Sequence, residues 1–566
     1  MESREIKSED RKPNILLSSV FGPYAVDDEY GSRKNNPMEL YHNQVTRVQG
    51  PFSLRVFHPS VGLRLIAANI DAPCTILDFP TLNRFIHEIK TNNYDIVGIG
   101  SITVNIFKVK KMCELVRKYL PNAKIVIGGT IANMEGLDKR IDADFIVKGD
   151  GLSWFRKYLG LGAEEKIRHP VVEATFGTRV LGININDTPK DKSAFIVPTL
   201  GCPMGCNFCM TSATFGGKGN CIVFYETGKE IYTLMEKIEH KLGTKSFFIM
   251  DENFLLHKKR VMELLFLLKK NNKSYSLGVF SSANAINNYS MDELVSLGIS
   301  FIWIGLEGEK SDYSKIGGIN TKDLVKELQD NGIMTLGSSI VGLEEHAPTN
   351  INSAVDWAVS HRTDFHQFML YTALPGTPLH RQYADLKKLY NEEECPIPDT
   401  HGQYRFNYRH DNIKNQDETK ILTDAFMKDF IVNGPSLARM IRTRLKGYKK
   451  YKNHPETRLR QRILNESSSL SGNLSGVIWA MKKYYSKNSK MKEMLSCILN
   501  SLYSEFGIYT RIFAPIAGTY ILKNIFAEEN RLNNGFSIEP KTLYVKNSYA
   551  YYPSDKKATL LSWVMP

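Results

Sequence analysis

Short apolar runs recur along the first part of the chain, separated by amphipathic stretches. The runs at 14–20, 74–79, 95–101, 123–129 and 143–149 are continuous rather than alternating. That is the pattern of parallel strands buried on both faces. Between them, VGLRLIAANI and NIFKVKKMCELVRKYL carry helical periodicity and close near Pro73 and Pro121, as helices do before proline. Five such units predict a doubly wound parallel sheet over residues 1–160, of the flavodoxin-like kind, whose ligands bind beyond the carboxyl ends of the strands. Those ends are built from small residues: Ser101 and Thr103 after the third run, Gly128, Gly129 and Thr130 after the fourth, and Gly149-Asp150-Gly151 after the fifth.

Residues 161–190 are polar and turn-rich, which reads as a linker. A second alternation follows, with strands expected at 194–200, 246–251, 275–282, 301–307, 333–342 and 366–371. Six β-α units over 191–385 predict a partial (β/α)6 barrel with its site at the carboxyl ends of the strands. Beyond 386 the pattern turns to helices rich in Lys, Tyr and Leu without regular strands, so a helical domain is expected over 386–566.

Composition narrows this picture at two points. The net charge is +13, and much of the excess lies between Arg439 and Arg462; a solvated helical face or contact with an anionic substrate, lipid headgroups or nucleic acid are its two readings. The opening segment MESREIKSEDRKPN has no apolar core, and the most apolar later stretch, IFAPIAGTYILKNIF, is short and carries Lys523. Neither a secretory signal nor a spanning helix is expected. The expectation is a cytoplasmic protein with peripheral membrane contact.

The eight cysteines form no disulfide framework, because five are scattered and three crowd into GCPMGCNFC as Cys202, Cys206 and Cys209. Zinc prefers four ligands in paired knuckles, so this spacing fits it poorly. A cubane iron–sulfur cluster takes thiolates on its irons, and three thiolates leave one iron open to a chelating ligand.

A CxxxCxxC loop directly after the first strand of a β-α barrel resembles the radical S-adenosylmethionine (SAM) superfamily. The resemblance implies a [4Fe-4S] cluster on the three cysteines, SAM on the open iron, and reductive cleavage to methionine and a 5′-deoxyadenosyl radical. It extends through the second alternation. Asp251, Glu252 and Asn253 of IMDENF stand where the family meets the methionine amino group. Ser281, Ser282 and Asn284 of FSSAN stand where it meets the ribose or carboxylate. Glu307 ends the fourth strand, Ser339 and Gly342 the fifth, and PGTPL (375–379) follows the sixth.

A doubly wound domain ahead of such a barrel resembles the cobalamin-binding class of these enzymes. The likeness assigns Ser101, Thr103, Gly128, Gly129, Thr130, Gly149 and Gly151 to the corrin and its tail, since small residues admit close approach to backbone. The DxHxxG signature for a cobalt-ligating histidine is absent; His42 and His58 lie in no such context. The implied activity is methylation of an unactivated carbon, with ring formation, oxidation or carbon–carbon coupling as alternatives and an iron–sulfur sensor or nucleic-acid-binding regulator as a third class. The resemblance implies a small-molecule or lipid substrate and an electron donor such as flavodoxin or ferredoxin; nucleic acid is not expected. Substrate contacts are expected from His366, Gln367 and Tyr404, the last within a stretch (399–410) read as closing over the site. The polar-aromatic segment 20–44, with Tyr24, Asp27, Tyr30, Tyr41 and His42, is read as a loop beside the corrin or the substrate channel.

Overall fold

The computed structural model describes residues 11–22, 59–162, 165–173, 193–309, 318–414, 417–534 and 542–546, with Tyr30, Phe52 and the strand residues 54–55, 179–180 and 183–184 besides. Most of the 20–44 segment lies outside them. By their contacts the described residues fall into two compact units, one within 1–23, 59–170 and 541–566, the other within 24–58 and 171–540.

In the first unit β1 (Ile15–Ser19), β2 (Cys74–Asp78), β3 (Ile96–Gly100), β4 (Lys124–Gly128) and β5 (Phe145–Ile146) form a parallel sheet in the order β2-β1-β3-β4-β5. The strands coincide with the five apolar runs because both faces are covered: Ile15, Leu16, Val97, Ile125 and Ile127 are all buried. The strand order reverses between β1 and β3, which opens a crevice at their carboxyl ends. A sixth strand, Leu543–Val545, runs antiparallel along β2. The sequence pattern gave no sign of it, since three residues have no periodicity and their partner Ile76–Asp78 lies far away in the chain.

In the second unit β6 (Ser193–Ile196), β7 (Ser246–Ile249), β8 (Ser276–Ser282), β9 (Ile299–Glu307), β10 (Met334–Val341) and β11 (Phe365–Leu370) pair in sequential order, all parallel. The crossover helices begin where the sequence offers caps. Thr227 and Glu230 form a capping box before Gly228–Leu242, and Ser290 and Glu293 form one before Met291–Leu297. Thr377 of the PGTPL loop caps Pro378–Asp385, with Pro378 at the first helical position.

Five helical elements follow: Asp417–Asn433, Ser436–Tyr451, Thr457–Glu466, Asn473–Tyr484 and Ser489–Asn533, the last broken into two helices at Gly507, whose φ is +70°. Leu437, Ile441, Leu445, Ile478, Met481, Leu495, Leu502 and Ile525 pack into one core with Phe52. Here neither reading of the basic stretch holds for three of its six arginines. Arg439, Arg458 and Arg462 are buried. Arg439 donates to both oxygens of Asp429 (2.7 and 3.0 Å) and to the Thr363 carbonyl (2.8 Å). Arg458 and Arg462 donate to the Ser296 and Val295 carbonyls at the end of helix Met291–Leu297 (2.9 and 2.8 Å). Free carbonyls and the negative end of the dipole make a helix C-terminus a natural partner for a guanidinium. These cations strap helices to the amino-terminal side of the barrel: Thr443 bonds Asp364 and Lys446 pairs with Asp330.

Candidate active site

The loop after β6 holds the three cysteines in a tight course of turns. Gly201 and Gly205 have φ of +88° and +71°, and a Cβ at either would come within 2.7 Å or less of Phe215 or Lys218. Glycine is therefore required at both. Cys202 and Cys206 are buried, Cys209 half-buried, and none is in a disulfide. Ser212 Oγ donates to the Cys202 carbonyl (2.9 Å), and the Cys209 N–H to that of Cys206 (3.0 Å). Among the described residues no three His, Cys, Asp or Glu side chains gather as closely as a single metal ion requires. A cubane asks for less convergence, because each thiolate binds its own iron, and three thiols on one glycine-shaped loop fit it.

Between this loop and the carboxyl ends of β7–β11 lies a cavity of about 320 Å³, within the usual range for small-molecule sites. Glu252, Asn253, Ser281, Ser282, Glu307 and Ser339 line it, so six of the nine residues expected at SAM share one wall system. Asn253 also ties the ends of β7 and β8 together. Its Oδ1 accepts from Ser281 Oγ and the Ser282 N–H, and its Nδ2 donates to Ser282 Oγ (each 3.1 Å).

The other three expected residues stand elsewhere. Asp251 is buried, and its Oδ2 accepts from Arg260 (2.6 Å) while its Oδ1 takes the Asn253 N–H (3.1 Å). Arg260 is anchored in turn on Thr199 Oγ1. Asn284 is exposed. Gly342 has φ of +79°, receives Phe406 where a Cβ would stand (2.2 Å), and donates its N–H to His346 Nδ1 (3.0 Å).

Glu307 owes its direction to the backbone. The β9–β10 register slips between Gly305 and Glu307, and Glu307 has φ of +56°. A bulge re-aims the side chain beside it, and this conformation costs a residue with a Cβ about 1–2 kcal/mol. A strained, buried carboxylate on a cavity wall is a mark of function.

Of the expected substrate contacts, His366 has both ring nitrogens engaged, with Thr363 Oγ1 and Ser339 Oγ (each 3.1 Å). Burial pushes its pKa down to about 3. Gln367 accepts from Ser338 Oγ (3.0 Å), which itself accepts from Trp303 Nε1 (3.3 Å). Gln367 thus orients Trp303, which does line the cavity. Tyr404 is half-buried and off the wall. Its neighbour His401 is on the wall, with Nε2 buried and lacking a hydrogen-bond partner. Burial lowers its pKa to about 4.

Sequence reasoning missed the aromatic half of the wall: Phe208, Phe280, Trp303 and Tyr371. Tyr371 was within reach, since it directly follows β11. Asn207 Nδ2 donates to its hydroxyl (3.0 Å), and Phe208 meets its ring edge-on at 5.9 Å. The cysteine loop is thereby fixed to the cavity. The Leu379 N–H of PGTPL also donates to the Asn207 carbonyl (3.1 Å).

In the first unit all seven expected residues fall at the carboxyl ends of β3, β4 and β5. Gly129 has φ of +85°, and a Cβ there would lie 2.2 Å from the Ser101 carbonyl oxygen. Gly149 also has positive φ, and Asp150 then caps helix Gly151–Tyr158. Two features suit a bulky guest. The space a Gly128 side chain would enter is open, and Thr103 Oγ1 is buried without a hydrogen-bond partner.

The comparisons with known proteins agree with this geometry. A model of the B12 binding domain matches residues 52–159, and a model of the radical SAM superfamily matches 196–358. The chain thus carries a B12-binding domain followed by a radical SAM domain. Its relatives include an uncharacterised methyltransferase of Pyrococcus horikoshii, 23% identical over 326 residues, 51% of this chain and 70% of the relative. Another is the bacteriochlorophyllide d C-8(2)-methyltransferase of Chlorobaculum tepidum, 25% identical over 317 residues, 52% and 69% of the two chains. Among solved structures, the radical SAM methyltransferase TsrM of Kitasatospora setae, determined with cobalamin and a [4Fe-4S] cluster bound, superposes with a TM-score of 0.50. It is 15% identical, and the match covers 81% of this chain and 99% of that chain, a likeness of fold.

Proposed function

We propose that this chain is a cobalamin-dependent radical SAM methyltransferase acting on an unactivated carbon of a small molecule or lipid. The observation that carries the reading is a three-thiol loop tied, through Asn207 and Phe208 on Tyr371, to a cavity walled by serines and carboxylates. When bound, the cluster supplies the electron that splits SAM to methionine and a 5′-deoxyadenosyl radical, and cobalamin carries the methyl group.

In this reading Cys202, Cys206 and Cys209 hold the cluster. Glu252, Ser281, Ser282, Glu307 and Ser339 bind SAM, with Glu307 facing a cationic group and the serines facing hydroxyls or carboxylate. Asp251 acts through position: its pair with Arg260 fixes the turn that presents Asn253. Asn284 and Gly342 stand off the wall, and Gly342 serves through its backbone. The aromatic residues exclude water and hold the substrate against competing reactions of a reactive radical. Ser101, Thr103, Gly128, Gly129, Thr130, Gly149 and Gly151 receive the corrin and its tail by close approach to backbone. The electron comes from a flavodoxin or ferredoxin, in the cytoplasm, and any membrane contact is peripheral.

The test is anaerobic purification with and without cobalamin, followed by assay of iron, cobalt and both SAM-derived products. About four irons per chain, bound cobalt, and S-adenosylhomocysteine together with 5′-deoxyadenosine are expected. Replacing Cys202 by Ala is expected to abolish both iron and 5′-deoxyadenosine. Formation of 5′-deoxyadenosine without S-adenosylhomocysteine would replace methylation by a cyclisation, oxidation or coupling outcome.

A further inference from the structure

Ser489–Asn533 breaks at Gly507 (φ +70°), and the helix that follows the break buries one face and exposes the other. Ala514, Ile521 and Ile525 lie in the helical core. On the opposite side Ile508, Tyr509, Ile512, Ile516, Tyr520 and Phe526 are 50–73% exposed. Residues 508, 512, 516 and 520 follow one another at four-residue steps, which keeps them within about 120° of one face at 3.6 residues per turn. Single exposed apolar side chains are ordinary, but a continuous stripe marks an interaction surface.

The charges say what it meets. From 506 to 527 the sequence holds no acidic residue, and its two charged residues, Arg511 and Lys523, are both exposed. Glu505, just before the stripe, is taken up by Lys452. A second copy laid across the same face in an isologous pair would bring these cations toward their own kind. A surface of anionic lipid satisfies both features at once: the apolar side chains enter the headgroup boundary, the cations meet phosphates, and Tyr509 and Tyr520 suit a half-wet depth. No helix among the described residues is long and apolar enough to cross a membrane, so the contact lies in the plane of the surface.

We propose that the stripe from Ile508 to Phe526 docks this enzyme onto an anionic phospholipid bilayer. The inference stands apart from the methyltransferase reading, which SAM-product assays decide.

The full-length, anaerobically purified chain is floated with vesicles of phosphatidylcholine alone and of phosphatidylcholine mixed with phosphatidylglycerol. Binding is expected to the mixed vesicles, to weaken with salt, and to be lost by at least about tenfold in the double variant Ile512→Glu, Ile516→Glu. Arg511→Gln and Lys523→Gln are each expected to weaken binding about fivefold, the loss of one basic residue near a charged surface. Unchanged iron content and melting temperature show that the variants are folded; if the glutamate variant fails that check, the two glutamine variants decide. No binding to mixed vesicles overturns the proposal, as does equal binding by the folded variants. A wild-type dimer on gel filtration that the glutamate variant dissolves overturns it in favour of a second copy.

Discussion

The carboxyl ends of the barrel strands and those of the first sheet are built by opposite means. In the barrel, side chains do the work: Asn253 ties Ser281 to Ser282, Arg260 holds Asp251, and a bulge aims Glu307. In the first sheet, side chains are mostly withdrawn: Gly128 and Gly129 leave the backbone bare, and the polar atom left over is the Thr103 hydroxyl. The difference follows the guests proposed for each. A small polar cofactor is recognised atom by atom through charge and hydrogen bonds, whereas a broad macrocycle with a long tail needs room. The first kind of site stores its precision in buried polar networks, the second in φ angles that only glycine tolerates.

The sharpest way to break the barrel half of this contrast is Arg260→Met. The substitution leaves Asp251 buried without its cation, which costs about 3–5 kcal/mol. A fall of that size in chemical denaturation is expected, with SAM affinity falling too; unchanged stability would mean that the pair does not organise the strand ends. Next is Glu307→Gln, which keeps shape and removes charge. SAM binding measured by equilibrium dialysis is expected to weaken by about 10–100-fold, the worth of one charge-assisted hydrogen bond, with little change in melting temperature.

A third effect is a pH dependence. Burial lowers His361 and His401 from 6.5 to about 4 and His366 to about 3. The folded state thus favours the neutral ring, and the unfolded chain binds the proton first. Stability from these groups is complete above about pH 6.5 and is lost as the pH falls toward 4, at up to about 1.4 kcal/mol per unit for each ring. Denaturation midpoints measured from pH 7 to 5 are expected to fall, and His366→Gln is expected to flatten that slope by about one ring's share.

The smallest effect sharpens the other half. Thr103→Val removes a buried hydroxyl without a partner, so the cobalamin-free protein is expected to gain about 1 kcal/mol or stay level. Cobalamin binding, followed by its visible spectrum, is expected to weaken severalfold. A variant that loses stability and keeps its affinity would give Thr103 a purely structural place.

Much was legible along the chain because it is local. Buried parallel strands write continuous apolar runs, capping boxes are three residues long, and Cys202, Cys206 and Cys209 share one loop, so strands, crossover helices and the cysteine loop could be read in order. The order of strands in each sheet and the convergence of Glu252, Ser281, Glu307 and Ser339 on one cavity could be inferred only through the fold they imply. What the tertiary structure alone decided depends on distant partners. The burial of Arg439, Arg458 and Arg462 turned an apparently solvated or anion-binding stretch into struts, because the carbonyls that accept them lie on another part of the chain. The Leu543–Val545 strand exists only against β2, the aromatic wall only where five strand ends meet, and the bare stripe of Ser489–Asn533 only once its other face is covered. A sequence records periodicity and local chemistry, but which polar group is satisfied, and by whom, is settled by packing.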